Sequence, residues 1–281
     1  MPITVSPVTV KSALTKTGGF LSGFTHTLTP YWGCSYGNSC FYCYVGESQI
    51  QRFYADGQAW GEWVKPKINI AEVLERELAA FARRGTPLRI YCSGTTEPFP
   101  PRFEPQYRLS GQCLDAFCRY PPALLVLQTR SPFVERYFDL IAAIPTAVLN
   151  LTIETDDDAI RRKLTPSCAT IARRLAVARA ATERGIFTQI TVSPALPHHP
   201  ERFAKLIATS CRRVIVDDFF NGDGAKGARS RRRGVPEVLA RHGYPDWFGP
   251  ETTHRLVTAL IERMGADRVR YSREGFNRAV L

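Results

Sequence analysis

Three cysteines lie close together near the start of the chain and have the spacing of metal ligands. They are Cys34, Cys40 and Cys43 in the segment TPYWGCSYGNSCFYCYVGE, which gives the pattern C-x5-C-x2-C. The segment is rich in aromatic residues, and its glycines allow the backbone to turn tightly around a bulky group. Thiolates bind zinc and iron–sulfur clusters, so the segment predicts either a metal site or thiol chemistry.

Three kinds of site fit these cysteines. A structural zinc site needs four ligands, and the fourth is hard to find: His26 lies on the preceding predicted strand, and the sequence has no second C-x2-C pair. A redox disulfide between Cys40 and Cys43 leaves Cys34 and the aromatic surroundings unexplained. A [4Fe–4S] cluster on three thiolates leaves one iron open for a substrate or cofactor. The spacing favours the cluster, and the other two interpretations stay open.

The composition is that of a soluble globular protein with a basic surface. The chain has 281 residues, of which 44% are hydrophobic and 22% charged, and its formal net charge is +11. Since no secretory signal and no apolar run of about 20 residues is present, we expect a cytoplasmic protein with reduced thiols and no membrane association. The charge and the basic segment NGDGAKGARSRRRG, predicted to be a mobile loop, favour an anionic partner such as DNA or RNA.

The elements that must position the cysteines alternate between strands and helices. The apolar patterns predict strands at residues 23–28, 88–92, 124–128, 147–153, 187–192, 213–216 and 268–271. They predict helices at residues 69–84, 106–118, 133–143, 169–183, 201–208 and 251–264. Alternation of this kind implies an α/β fold with a parallel sheet, either open and doubly wound or curved into a partial barrel. Polar or small residues end the strands, where ligands bind in such folds.

Several segments resemble those of radical S-adenosylmethionine (radical SAM) enzymes. The cysteine segment is similar to the cluster loop of that superfamily, including the aromatic Tyr42 before the last cysteine. The segments SGTTEPFPPRFEPQYRLSGQCL, LQTRSPFVERYFDLI, LTIETDDDAIRRKLTP and TVSPALP follow in order, and EGFN stands near the end. Together they resemble the spore photoproduct lyase-like branch over residues 25–217. The usual loop is C-x3-C-x2-C, so the two extra residues here predict a bulge near Asn38 and Ser39.

The resemblance implies a fold, cofactors and a reaction type. The fold would be a partial (β/α)6 TIM-like barrel at residues 23–218, preceded by an extension at 1–22 and followed at 219–281 by a basic loop, a helix and a closing segment. The cofactors would be a [4Fe–4S] cluster on the three cysteines and S-adenosylmethionine. Reductive cleavage of S-adenosylmethionine, with electrons from a flavodoxin- or ferredoxin-type donor, would give a 5′-deoxyadenosyl radical.

The resemblance also implies cofactor contacts at the strand ends. The end of the second strand matches the position that meets the amino group of S-adenosylmethionine, Glu154 the position that meets its ribose, and Arg162 would pair with its carboxylate. Ser131 also suits a helix N-cap, and Glu154 and Arg162 suit a surface ion pair. The full set of expected cofactor contacts is Tyr42, Ser93, Gly94, Thr95, Thr96, Thr129, Ser131, Thr152, Glu154, Arg162 and Ser193.

Cys92 is the candidate catalytic thiol. It ends the second predicted strand, and a thiol there could donate a hydrogen atom in the radical repair of a thymine adduct. The alternative is a buried apolar cysteine, which is the commoner role. The remaining cysteines are expected to pack in helices and loops.

Two classes of function remain. The first is a radical SAM enzyme, lyase-like and acting on nucleic acid such as a damaged pyrimidine pair, with modification of a protein or small molecule as a variant. The second is a nucleic-acid-binding protein that is stabilised by zinc or a cluster and has no catalytic activity.

Overall fold

The computed structural model describes residues 3–36 and 39–277. Its main feature is an eight-stranded sheet with the order β11-β10-β9-β8-β7-β6-β3-β2. The strands are β2 (Leu14–Lys16), β3 (His26–Leu28), β6 (Arg89–Cys92), β7 (Leu124–Thr129), β8 (Ala147–Thr152), β9 (Phe187–Val192), β10 (Arg213–Val216) and β11 (Val269–Tyr271).

The sheet is a partial barrel. All neighbouring strands from β3 to β11 pair in parallel, and β2 pairs antiparallel with β3. Within the described residues β2 and β11 do not pair with each other, so the barrel stays open. The expected partial (β/α)6 barrel is therefore confirmed, with β2 and β11 as additional edge strands drawn from the predicted N- and C-terminal segments.

A small second sheet leads into the cysteine segment. It has the order β1-β5-β4, with β1 at Thr4–Val5, β5 at Trp63–Pro66 and β4 at Tyr31–Gly33. Strand β4 is antiparallel to β5 and ends one residue before Cys34. The sequence pattern does not predict this sheet, because its strands have only two to four residues and come from distant parts of the chain.

Helices cover the outside of the main sheet because the strands are apolar on both faces. Strand β8 is buried at every position, and the main core contains residues from the strands and from the helices packed on them. The helices are α1 (Gln49–Tyr54), α2 (Ile70–Arg83), α3 (Glu104–Tyr107), α4 (Leu109–Arg119), α5 (Phe138–Ala142), α6 (Asp158–Leu164), α7 (Ile171–Glu183), α8 (Pro200–Ala208), α9 (Ala228–Arg232), α10 (Val235–Arg241), α11 (His254–Met264) and α12 (Ser272–Asn277). None of the helices in the described ranges is long and apolar enough to cross a membrane.

The glycine-rich basic segment is folded, contrary to the prediction of a mobile loop. Residues 228–232 form α9, and a carboxylate just before the helix organises the turn that leads into it. The side chain of Asp223 accepts hydrogen bonds from the backbone N–H groups of Ala225, Gly227, Arg229 and Ser230. One buried side chain thus satisfies backbone donors that would otherwise need water, which explains the local order.

The segment just before β3 meets the C-terminal helix α12 beside the open barrel. Asn277 at the end of α12 accepts a hydrogen bond from the N–H of Gly23 at 2.6 Å and donates one to the carbonyl of Phe20 at 2.7 Å. The rings of Phe20 and Phe276 pack with their centroids 5.4 Å apart. This contact holds the N-terminal segment against the C-terminal helix.

Candidate active site

A cavity of about 770 Å³ lies at the carboxyl ends of the barrel strands. This volume is ample for a cofactor and part of a substrate. Its wall is built by residues that follow five of the parallel strands, together with the cysteine segment and parts of both chain ends. Lining residues among those predicted from the sequence are Cys34, Cys40, Tyr42, Cys43, Ser93, Gly94, Thr95, Thr96, Thr129, Thr152 and Ser193.

The cysteine segment starts from a sharp turn at Gly33. This residue has φ +81°, and a Cβ there would overlap the carbonyl oxygen of Trp63 on the neighbouring strand. Only glycine fits such a close approach of two backbones. The turn directs Cys34 toward the cavity, and the N–H of Cys43 donates to the carbonyl of Cys40 at 2.9 Å. The predicted bulge near Asn38 and Ser39 falls partly on residues 37–38, which lie outside the described ranges.

Aromatic side chains pack behind the cysteines. Cys34 and Cys43 lie in a cluster with Trp32, Trp60 and Trp63. We call these three residues the tryptophan cluster. Burial raises the pKa of Cys34 to about 12, so this thiol is protonated unless a metal ion or cation binds it. The aromatic packing thus keeps water away from one side of the segment.

Arg130, at the end of β7, contacts the sulfur of Cys40. Its Nη1 lies 2.9 Å from Cys40 Sγ and 3.6 Å from Cys168 Sγ. The hydrogen bond that Cys40 donates to Cys168 raises the pKa of Cys40, as does burial, and accepting this bond lowers the pKa of Cys168 to about 6. Cys168 was expected to be a simple packing residue, and the structure places it in contact with a cysteine of the predicted cluster.

Glu154 is fully buried and joins several elements. Its carboxylate accepts hydrogen bonds from Tyr42 Oη at 2.9 Å and Arg174 Nη1 at 2.6 Å, and it lies 3.2 Å from Arg130 Nη1. Burial alone would raise its pKa, but the guanidinium groups of Arg174 and Arg130 lower the pKa to about 2. All of its partners are protein groups and it does not line the cavity, so the structure does not place it for a ribose contact.

The turn after β6 presents polar atoms to the cavity. Ser93 has φ +63°, and Thr96 donates to the carbonyl of Tyr31 at 2.8 Å. Gly94 and Thr95 line the cavity beside them. These four residues therefore lie together at the cavity wall.

Glu97, which is absent from the predicted cofactor contacts, organises the ends of β6 and β7. Its carboxylate accepts hydrogen bonds from the Thr129 hydroxyl, the N–H of Arg130 at 3.0 Å and the N–H of Phe99 at 2.9 Å. Burial raises its pKa, and these three donors oppose that effect. It also lines the cavity, so it adds a carboxyl group next to Thr96. The sequence signal for Glu97 as a site residue is its position in the segment SGTTEP, directly after the predicted contacts.

Ser131 acts as a helix cap. It is fully buried, its hydroxyl accepts from the N–H of Phe133 at 3.2 Å, and it does not line the cavity. The N-cap interpretation therefore describes its position, because Ser131 precedes the helical turn that starts at Pro132.

A hydrogen-bonded network forms the floor of the cavity between four neighbouring strands. Gln128 accepts from Tyr91 and Asn150 and donates to Thr152, and Thr191 donates to the side-chain oxygen Oδ1 of Asn150. Because these side chains satisfy one another, they form a rigid polar surface inside the barrel. Thr152 is part of this floor.

Two further predicted site residues lie away from the cavity. Arg162 lies on the surface and forms an ion pair with Asp158 at 3.2 Å, because it falls on the outer side of α6. Cys92 does not line the large cavity but lies against Cys113 and Phe99 on the helix-covered side of the sheet. Side chains of a strand alternate between its faces, so Tyr91 and Ser93 face the cavity and Cys92 faces away.

The arrangement of the three cysteines can be compared with the geometry that a single metal ion or an iron–sulfur cluster requires. In the described part of the chain, no three His, Cys, Asp or Glu side chains converge closely enough to hold one metal ion. A four-iron cluster binds each thiolate to a different iron, so its ligands must border a larger common space. Cys34, Cys40 and Cys43 do border one cavity, and this arrangement fits a cluster better than a single zinc ion.

Comparisons with known proteins agree with this geometry. The Radical SAM superfamily model matches residues 28–208, which is more than half of the chain. A mutant of spore photoproduct lyase has 12% identity and a TM-score of 0.65, with 95% of this chain and 81% of that chain covered. Spore photoproduct lyase complexed with dinucleoside spore photoproduct has 12% identity, the same coverages and a TM-score of 0.63.

At this level of identity the two structures establish a shared fold, and no curated protein matches the sequence significantly. The family match covers the strands and turns that build most of the cavity, including all three clustered cysteines. The chain therefore belongs to the radical SAM superfamily of enzymes.

Proposed function

We propose that Cys34, Cys40 and Cys43 hold a [4Fe–4S] cluster and that S-adenosylmethionine binds beside it in the cavity. The observation that carries the proposal is that all three cysteines border the same cavity as the polar turn after β6. When bound, the cluster supplies the electron that cleaves S-adenosylmethionine and yields a 5′-deoxyadenosyl radical. A small electron-transfer protein of the flavodoxin or ferredoxin type is the proposed reductant.

The protein residues would orient the cofactor and exclude water. Gly94, Thr95 and Thr96 offer backbone and hydroxyl acceptors for its ammonium group, and the carboxyl group of Glu97 lies next to them. Thr129 and Thr152 would meet the nucleoside part from the neighbouring strand ends. Tyr42 is fixed by Glu154, so its ring forms a rigid wall between the cysteine segment and the barrel.

For the substrate we propose a nucleic acid, processed by a lyase-like reaction on a damaged pyrimidine pair. Two cationic side chains, Lys16 and Arg229, and the two rings of Phe20 and Phe276 line another part of the cavity. Cations suit phosphate groups, and aromatic rings suit extruded bases. A protein with the same fold has been solved with dinucleoside spore photoproduct, a ligand of this chemical class.

The first experiment tests the cofactor. Anaerobically reconstituted protein is analysed for iron and sulfide, and then for 5′-deoxyadenosine after reduction by dithionite with S-adenosylmethionine. We expect about four irons per chain and product release that is lost in C34A, C40A and C43A. C118A is the matched control, because Cys118 on α4 does not line the cavity. Zinc instead of iron, with no cleavage, would support the non-catalytic binding protein and reject the proposal.

The second experiment tests the substrate. Loaded enzyme is incubated with ultraviolet-irradiated DNA, undamaged DNA and an unrelated peptide, and repaired bases are measured by mass spectrometry. We expect product only from irradiated DNA, and DNA binding that weakens as salt rises because phosphate contacts release counterions. Cleavage of S-adenosylmethionine without DNA repair would keep the enzyme class and reject this substrate.

A further inference from the structure

The proposed cofactor site assigns no role to Arg130, although this residue contacts one of the three cysteines. Its backbone N–H donates to Glu97 at 3.0 Å, and its guanidinium contacts the cysteine segment. The side chain is 19% exposed and Nη1 lies 3.2 Å from Glu154 Oε1 and 2.9 Å from Cys40 Sγ. The carboxylate thus holds the cation in place while the same nitrogen faces the sulfur.

The proposed function makes Cys40 a cluster ligand, and the inference rests on that assignment. A thiolate bound to iron keeps lone pairs that accept hydrogen bonds, and such bonds together with nearby positive charge help set the reduction potential of a cluster. Hydrogen bonds to the sulfur and nearby positive charge both favour the reduced cluster, because it carries one more negative charge than the oxidised cluster. We propose that Arg130 is a positioning residue that donates to the sulfur of Cys40 and makes the cluster easier to reduce.

The local structure allows Arg130 to be replaced without leaving a buried charge unpaired. Glu154 keeps its hydrogen bonds from Arg174 and Tyr42 when Arg130 is removed. Arg136, six residues further on, is an exposed arginine that stacks on Phe133 and does not line the cavity. R136Q therefore removes the same formal charge as R130Q without touching the cysteine segment.

The test is a redox titration of the reconstituted holoenzyme without S-adenosylmethionine, followed by electron paramagnetic resonance. At a fixed potential we expect the ratio of reduced to oxidised cluster to fall at least tenfold in R130Q, a shift of 59 mV for a one-electron couple. In R136Q the ratio should stay within about twofold of wild type, about 18 mV by the same conversion. An R130Q enzyme that loads fully and titrates like wild type would overturn the inference.

A second measurement uses the wild-type enzyme and does not require that a variant bind the cluster. Wild-type enzyme labelled with 15N-arginine should show a coupling between a guanidinium nitrogen and the reduced cluster in pulsed electron paramagnetic resonance. Absence of the coupling in a fully loaded wild-type sample would reject the contact. A wild-type chain that binds no cluster would instead reject the proposed function and, with it, this inference.

Discussion

Glu154 shows how one side chain gains its role from partners that are distant in the sequence. Its carboxylate contacts Tyr42, which precedes it by 112 residues, and Arg174, which follows it by 20. The strand pattern correctly places Glu154 at the end of β8, but the side chain turns into the protein toward these two groups. The two partners lie on separate elements, so the pattern of residues around Glu154 does not reveal them.

We expect E154Q to be strongly destabilised. The substitution leaves the fully buried Arg174 without its counter-ion, and loss of one partner from a buried pair costs roughly 3–5 kcal/mol. Denaturant unfolding of the metal-free chain measures this loss. D139N serves as the control, since Asp139 is almost fully exposed and its ion pair should contribute less than about 1 kcal/mol. Equal effects of the two substitutions would contradict the burial argument.

The same carboxylate gives a pH dependence with a definite sign. The pKa of Glu154 in the folded protein is about 2, below its usual 4.5, so its contribution to stability is present above pH 4.5. It is lost as the pH falls from 4.5 toward 2, and the shift corresponds to about 3 kcal/mol. The difference in unfolding free energy between wild type and E154Q should therefore shrink over this range. A difference that does not change with pH would mean that Glu154 is not ionised.

Cys92 should be dispensable for cofactor cleavage. Its thiol lies on the helix-covered side of β6, and the expected change in C92A is a small packing loss of about 1 kcal/mol. Release of 5′-deoxyadenosine by the loaded C92A enzyme should stay within about twofold of wild type, while C43A should lose it. A large loss in C92A would show that β6 has a different register in the working enzyme.

At the scale of elements, the small sheet β1-β5-β4 controls where the cysteine segment begins. The long apolar strands and the amphipathic helices α2, α8 and α11 were predictable because each carries its own periodic pattern. The short strands carry none, and they form only because β4 and β5 lie together in the folded chain. The pairing of β4 with β5 nevertheless fixes the backbone just before Cys34, since Gly33 must approach Trp63 closely.

G33A should therefore lose iron. Both Gly33 and Gly57 have φ near +80°, so alanine costs about 1–2 kcal/mol of backbone strain at either position. Only at Gly33 would the added Cβ also overlap Trp63, whereas Gly57 has nothing within 4 Å. Iron and sulfide analysis after reconstitution should give a large loss for G33A and wild-type loading for G57A. Full loading of G33A would show that the turn can open without displacing Cys34.

At the scale of the whole molecule, the parallel order of the central strands followed from the alternation of strands and helices. The elements at the two open edges of the barrel could not be predicted from this alternation, because β2 and α12 have no strong sequence pattern. The segment before β3 and the C-terminal helix α12 lie together beside the cavity, where Asn277 links α12 to Gly23 and Phe20. The predicted extension and closing segment therefore share a contact.

N277A should loosen that contact. The substitution removes two interactions between the chain ends, and the expected cost is about 1–3 kcal/mol. Hydrogen exchange should then increase at Gly23 and along α12 while the central strands β7 and β8 stay protected. The exposed Gln106, replaced by alanine, is the control. Unchanged exchange in N277A would mean that ring packing alone joins the ends.

The tryptophan cluster has a practical consequence. The chain contains four tryptophans, and Trp32, Trp60 and Trp63 pack against Cys34 and Cys43. An iron–sulfur centre absorbs broadly across the ultraviolet and visible range, so energy transfer from these indoles should quench most of the intrinsic emission as the site fills. Tryptophan emission would then report binding of the proposed cluster, and its loss to oxygen could be followed in real time as the emission returns.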